Sequence, residues 1–182
     1  MHTLRLVSLS IFAALFSLLP TAIHAATGEV VSLPWNQWQI HPADEAACAA
    51  GAPTCVWDAP RAGFDRYTRT FSWLRQEIKI DPALARESIL ALLIQDLPTV
   101  YEVYANGSQI GASGSFRTRA GAIHNRQIFL VPRNAYADGR LVLTVRVLNL
   151  RAVNRVARME PWIGAPAAIE RQRDLDTYAY LR

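Results

Sequence analysis

From Thr68 onward the chain is written in strand-length apolar stretches: "TRTFSWLRQEIKI", "SILALLIQDL", "TVYEVYA", "RQIFLVP" and "RLVLTVRVLNL". Each is separated from the next by joints of Pro, Gly, Asn or Asp, residues that fix φ or allow it to turn positive. The stretches themselves are rich in β-branched and aromatic side chains, which suit a pleated, half-buried surface. Strands of this length with turn punctuation can hide their apolar sides by stacking sheets, so the pattern predicts an all-β, antiparallel β-sandwich. Upstream, "EVVSL" and "WNQWQI" read as two short strands, followed by a long insertion from His41 to Arg66 that holds Pro42, Pro53 and Pro60. "DPALARESILALLI" also admits a helix, with Asp81 as cap and Pro82 at the first helical position. The reading kept is a short turn before a strand.

Period two sorts the side chains of each strand into faces. In "TVYEVYANG", Tyr101, Val103 and Ala105 read as core, with Val100, Glu102, Tyr104 and Asn106 opposite. In "FSWLRQEIKI", Phe71, Trp73 and Arg75 share one side, and Leu74, Ile78 and Ile80 the other with Ser72 and Gln76. Both sides are partly apolar, as in a central strand. In "LVLTVRVLN", Leu141, Leu143, Val145 and Val147 are core and Arg146 points elsewhere. An aromatic ring beside a guanidinium suits a planar or hydroxylated ligand, through stacking and forked hydrogen bonds. The same pair also fits an Arg lying over a buried Trp, and Glu102 and Tyr104 also fit a plain solvent-side face. Asn106-Gly107-Ser108 matches a glycosylation sequon, but Asn-Gly is equally a type I′ hairpin signal, and the turn explains both residues.

The N-terminus is of a different kind. One cation in Met1 to Arg5, an apolar run from Leu6 to Leu19 and the small-residue stretch Pro20 to Ala26 read as a secretory signal peptide over residues 1–26. An uncleaved anchor is the weaker alternative, because the run falls short of the roughly 20 residues that span a bilayer. Export to the periplasm or cell envelope would place Cys48 and Cys55, in "CAAGAPTC", in an oxidising compartment, and a local disulfide is expected. Its rival, a metal pair, lacks further Cys or a neighbouring His cluster in the sequence. A β-sandwich domain over residues 27–166 and a helical connector over 167–182 complete the division.

No catalytic set emerges. The net charge is +4, but Lys79 is the only lysine and acids are interleaved with the arginines, which argues against nucleic acid as a partner. The histidines His2, His24, His41 and His124 show no HExxH spacing. No GxSxG elbow is present, and "GASGSF", Gly111 to Phe116, reads as a mobile polar loop. Asp96 and Glu102 on neighbouring strands could pair for glycoside chemistry, though surface charge is the simpler reading. Neither a cofactor nor a metal is called for, and the chain is expected not to be an enzyme.

The order "FSWLRQEIKI", "LLIQDLPTVYEVYANGSQIGASG", "FLVP", "LVLTVRVLN" resembles the galactose-binding-like jelly-roll. That domain occurs as the sugar-binding domain of family 2 glycoside hydrolases and in periplasmic sensor regions of bacterial membrane signalling proteins, among them 7TM-type receptors, diguanylate cyclases and kinases. Those families carry a Trp-aromatic-Arg strand, matched here by Trp73, Leu74 and Arg75 with Leu in the middle. A strand of the form aromatic-x-Val-aromatic-x-Asn-Gly-x-x-Val/Ile-Gly follows, matched by Tyr101 to Gly111. The likeness covers roughly Trp35 to Gly164, and the cysteine loop departs from it. It marks architecture more than ligand.

Together these readings imply a non-catalytic periplasmic sensory or ligand-binding domain for a carbohydrate or similar polar small molecule. The candidate binding residues are Trp73, Arg75, Glu102, Tyr104 and Arg146. As part of a sensor it would also partner membrane and cytoplasmic output domains of a longer chain. The alternatives are an accessory sugar-binding domain of a glycoside hydrolase and a structural protein-interaction sandwich of the envelope.

Overall fold

The computed structural model describes residues 30–52, 54–59, 71–95, 97, 99–118, 126–148 and 160–180. The signal segment 1–26, the end of the cysteine insertion, Asp96 and His124 lie outside these residues. Two antiparallel sheets form a sandwich. The first has the order β1 (Val30–Ser32), β9 (Trp162–Gly164), β4 (Ile89–Gln95), β7 (Arg126–Pro132). The second has the order β2 (Gln39–His41), β3 (Phe71–Lys79), β8 (Arg140–Leu148), β5 (Tyr101–Ala105), β6 (Ser108–Ser113). Strands consecutive in the chain mostly lie in opposite sheets, and the two consecutive pairs that share a sheet, β2–β3 and β5–β6, are direct neighbours.

The core lies between the sheets and is built by the predicted faces: Leu74 and Ile78 from β3, Tyr101 and Val103 from β5, Leu141, Leu143, Val145 and Val147 from β8, against Leu90, Leu92 and Ile94 of β4. β4 reads as a nearly continuous apolar run because its other face is covered too. Ala91 and Leu93 pack there against Ile169 of the C-terminal helix α1 (Pro166–Tyr180), beside Trp162. Asp81 does not start a helix into this strand; Leu84–Arg86 makes one short 3-10 turn and the β-branched Ile89 begins β4. Among the described residues no helix is long and apolar enough to cross a membrane.

Two sequence expectations are altered and one strand, β9, was not read from the sequence. "WNQWQI" is a strand only from Gln39, because Gln37 N–H donates to Pro34 O and winds Trp35–Gln37 into a 3-10 turn. β9 is too short for its period to show. "GASGSF" is not all loop, since Gly111 to Ser113 ends β6, the return arm of the Asn106-Gly107 hairpin. The turn has φ +45° at Asn106 and +83° at Gly107, the pair of positive values that a two-residue type I′ corner needs. Asn106 also donates from Nδ2 to Ala135 O at 2.7 Å and accepts from Val142 N–H at 2.7 Å, which stitches the hairpin to β8 and leaves the amide in structural use. In β6, Ile110 is the extra residue of a bulge, and Gly111 faces the other sheet. A Cβ on Gly111 would stand 2.3 Å from the Phe129 ring, so only glycine lets β6 and β7 close this edge.

Candidate functional site

The outward face of the five-stranded sheet carries the candidate residues, and register explains why. Trp73, Arg146 and Glu102 stand opposite one another across β3, β8 and β5, and Arg75, Thr144 and Tyr104 form the next row. The sandwich core takes the alternate positions, so these six are left on one outer surface. β-Pairing alone therefore gathers side chains from positions 73 to 146.

The cysteine insertion folds down over this surface. Cys48 and Cys55 form a disulfide with their Cα atoms 5.8 Å apart, as expected from the sequence. The bridge packs on Trp73 together with Ala49, Trp57 and Tyr104, and Thr144 Oγ1 donates to Ala49 O at 2.6 Å. Trp73 is consequently only 2% exposed, with its ring 5.4 Å from that of Tyr104. It forms a floor, and Tyr104 and Arg146 form the walls. A cleft of about 320 Å³ remains, lined by Asp44, Ala46, Ala49, Trp73, Tyr104 and Arg146.

Arg146 organises the polar side of the cleft. Its Nε and Nη2 donate to the two oxygens of Asp44, each at 2.7 Å, and Nη1 donates to Glu102 Oε2 at 3.2 Å. The guanidinium lies 4.8 Å from the centre of the Phe71 ring and 4.5 Å from that of Phe116. Hydrogen bonding to Asp44 raises its pKa above the ordinary arginine value, and the charge is fixed. Glu102 Oε2 also accepts from Tyr104 Oη at 2.8 Å. Arg75 is in the same plane but turned away: it donates to Gln39 at 2.7 Å and Glu77 at 3.0 Å, with its guanidinium 5.8 Å from the Trp57 ring. It does not line the cleft.

Thus Trp73, Glu102, Tyr104 and Arg146 come together and Arg75 stands beside them. Asp44, Phe71 and Phe116 were not among the candidates. Phe71 could have been chosen from its alternation with Trp73, whereas Asp44 and Phe116 sit in aperiodic loops that carry no such signal.

Burial pushes the Tyr104 phenol up to about 12 from an ordinary 10.0, helped by the hydrogen bond to Glu102 and the carboxylate's charge. The folded phenol therefore keeps its proton where the unfolded one gives it up. Its contribution to stability is complete below pH 10 and is lost as pH rises towards about 12. Spectrophotometric titration of tyrosinate should show this late ionisation, and Glu102→Gln should bring the Tyr104 midpoint down while Tyr101, held at about 12 by burial, stays put. An unshifted Tyr104 midpoint in that variant would contradict the pairing.

No protein-family profile and no curated protein matches the chain. Among solved structures, the chain is similar to Ruminococcus gnavus β-glucuronidase in complex with D-glucaro 1,5-lactone, with TM-score 0.54 and 15% identity over 79% of this chain and 30% of that one. It is also similar to Bacteroides uniformis β-glucuronidase 2 covalently bound to cyclophellitol-6-carboxylate aziridine, with TM-score 0.53 and 18% identity over 75% and 18%. The chain thus spans less than a third of the length of these enzymes. At such identity the likeness is one of fold, shared with a part of these β-glucuronidases.

Proposed function

We propose that this chain is a non-catalytic ligand-binding domain of an exported protein, taking a carbohydrate or a similar polar small molecule in the cleft beside Arg146 and Tyr104. The observation that carries the reading is the cleft itself. It combines the Tyr104 ring, backed by the buried Trp73, for the apolar face of a ring with a guanidinium and a carboxylate for hydroxyls, the mixture by which a small polar ligand is oriented. In this reading Tyr104 stacks, Arg146 donates, Glu102 accepts hydroxyl protons, and Arg75 steadies the neighbouring strand. Coupling to membrane and output domains, as a sensor, is the use that fits an exported binding module.

Titration calorimetry with a panel of neutral monosaccharides and uronic acids tests it. At least one should bind, and Tyr104→Ala should weaken that binding by tenfold or more, equivalent to about 1.4 kcal/mol. Unaltered affinity in Tyr104→Ala would place the ligand elsewhere. A second reading, an accessory domain packed on a hydrolase barrel, is favoured by the fold likeness to part of the β-glucuronidases. It predicts no binding across the panel and a catalytic barrel encoded in the same gene.

A further inference from the structure

A second group of donor atoms lies at the edge of the cleft and takes no part in it. His41 ends β2, Glu45 follows four residues later, Cys48 sits in the 3-10 turn Ala46–Ala50, and Cys55 closes the loop. The spacing is His-x3-Glu-x2-Cys-x6-Cys. One ligand-type atom from each residue lies within 4.8 Å of all the others. The sequence gives little hint of this, since His41 reaches the cysteines only because β2 pairs with β3 beneath the loop.

The state of His41 points the same way. Its Nδ1 lies 2.9 Å from Val56 O. A carbonyl oxygen only accepts, so Nδ1 carries the proton, and in the neutral form of the ring it is Nε2 that presents a lone pair. That Nε2 atom is buried on a side chain 9% exposed and makes no hydrogen bond, and it faces the Glu45 carboxylate, with which it pairs only when the ring is protonated. A backbone carbonyl fixing the tautomer from behind is the usual support of a metal-binding imidazole. The Nε2 to Glu45 Oε1 distance is 3.4 Å, the edge of a tetrahedron whose bonds are near 2.1 Å.

We propose that reduction of the Cys48–Cys55 disulfide converts this corner into a site for a borderline-soft divalent cation of the zinc class. Its ligands are Cys48 Sγ, Cys55 Sγ, His41 Nε2 and the Glu45 carboxylate. A dithiol reductant supplies two electrons and two protons, the S–S bond becomes two thiols, and the reductant leaves as its own disulfide. The cation then forms two metal–sulfur bonds and displaces the two thiol protons to solvent. Once unlinked, the sulfurs are free to separate to the roughly 3.7 Å that metal–sulfur bonds of about 2.3 Å require. Two thiolates and an imidazole favour zinc over magnesium or calcium. Disulfide and metal are thus alternative fillings of one place, and either would hold the loop against Trp73.

The test uses the full chain, reduced anaerobically with a phosphine that is then removed, and Co²⁺ as a spectroscopic stand-in for Zn²⁺. The reduced protein should bind one Co²⁺ with sulfur-to-cobalt charge-transfer bands and the intense d–d bands of a tetrahedral ion, and Zn²⁺ should displace it. The oxidised protein should show neither, and His41→Ala should weaken binding at least tenfold. Absence of the tetrahedral spectrum in the reduced protein, or equal affinity in His41→Ala, overturns the proposal. If that variant does not fold, the wild-type protein still decides. Its disulfide equilibrium against glutathione should move at least tenfold towards the dithiol when Zn²⁺ is present, and equal constants with and without Zn²⁺ overturn the proposal.

Discussion

Trp73→Ala should destabilise the protein by about 3–5 kcal/mol, the cost of emptying a fully buried aromatic site. The position looks like a surface one by strand alternation, since Trp73 is on the outward face of β3. The disulfide loop makes it a second, small core of Cys48, Cys55, Trp57, Ala49 and Tyr104. Removing the indole takes away the ground on which that loop rests, so the main sandwich survives with a loosened outer face. Trp73→Phe should lose much less, because it keeps a ring there and discards an indole N–H that is buried without a hydrogen-bond partner. Val56→Ala, at a residue 70% exposed in the same loop, serves as the control and should change stability by less than about 0.5 kcal/mol. Urea unfolding followed by far-ultraviolet circular dichroism measures all three. A Trp73→Ala loss within about 1 kcal/mol of the control would mean that the loop does not cover the sheet as described.

The sandwich was legible because its strands carry their own period. Tyr101, Val103 and Ala105 face the core, and Glu102 and Tyr104 face out, as alternation dictates. The same alternation sets Trp73 with Arg75 on one side of β3 and takes Arg146 off the core side of β8, but it does not say that the two sides are one surface. It cannot reveal that β3, β8 and β5 are adjacent, since Arg146 lies far along the chain from its partner Trp73 and pairing is set by the tertiary fold. Nor can it supply Asp44 or Phe116, whose positions depend on loops closed by a disulfide and a hairpin. β6 was obscured by Gly111 and its two serines, residues of low strand propensity, and Gly111 is kept where Phe129 needs room.

Trp73 being covered also changes what the cleft can offer. An open Trp–Arg pair would be a flat stacking platform, whereas here the accessible aromatic surface is that of Tyr104, and the accessible cation is shared with Asp44. A ligand that uses Arg146 must take the remaining donor capacity of its guanidinium or displace Asp44. The loop carrying Asp44 is the one pinned by the disulfide, so loop position and ligand access are physically linked.

Arg146→Met should cost about 2 kcal/mol, and the reason is the company the guanidinium keeps. It is the common partner of Asp44 and Glu102, with the Arg146 side chain 24% exposed and Glu102 19% exposed. Stripping the cation leaves two carboxylates facing each other on a half-buried surface, a situation that in a full interior costs about 3–5 kcal/mol. Solvent at the mouth of the cleft screens part of this, which lowers the expectation. The apolar stem and the contact with Phe71 and Phe116 are largely preserved by Met, so the loss measures charge rather than packing. Arg146→Lys should fall between, because an ammonium keeps the charge but cannot form the two-pronged bond to Asp44 while also reaching Glu102. Asp44→Asn combined with Arg146→Met should be less damaging than the two single losses added together, since each removes what the other leaves unpaired. Chemical denaturation of the four proteins gives the coupling energy. Strict additivity would show that the bidentate pair is a surface ornament, and that Arg146 is available to a ligand without competition from the loop.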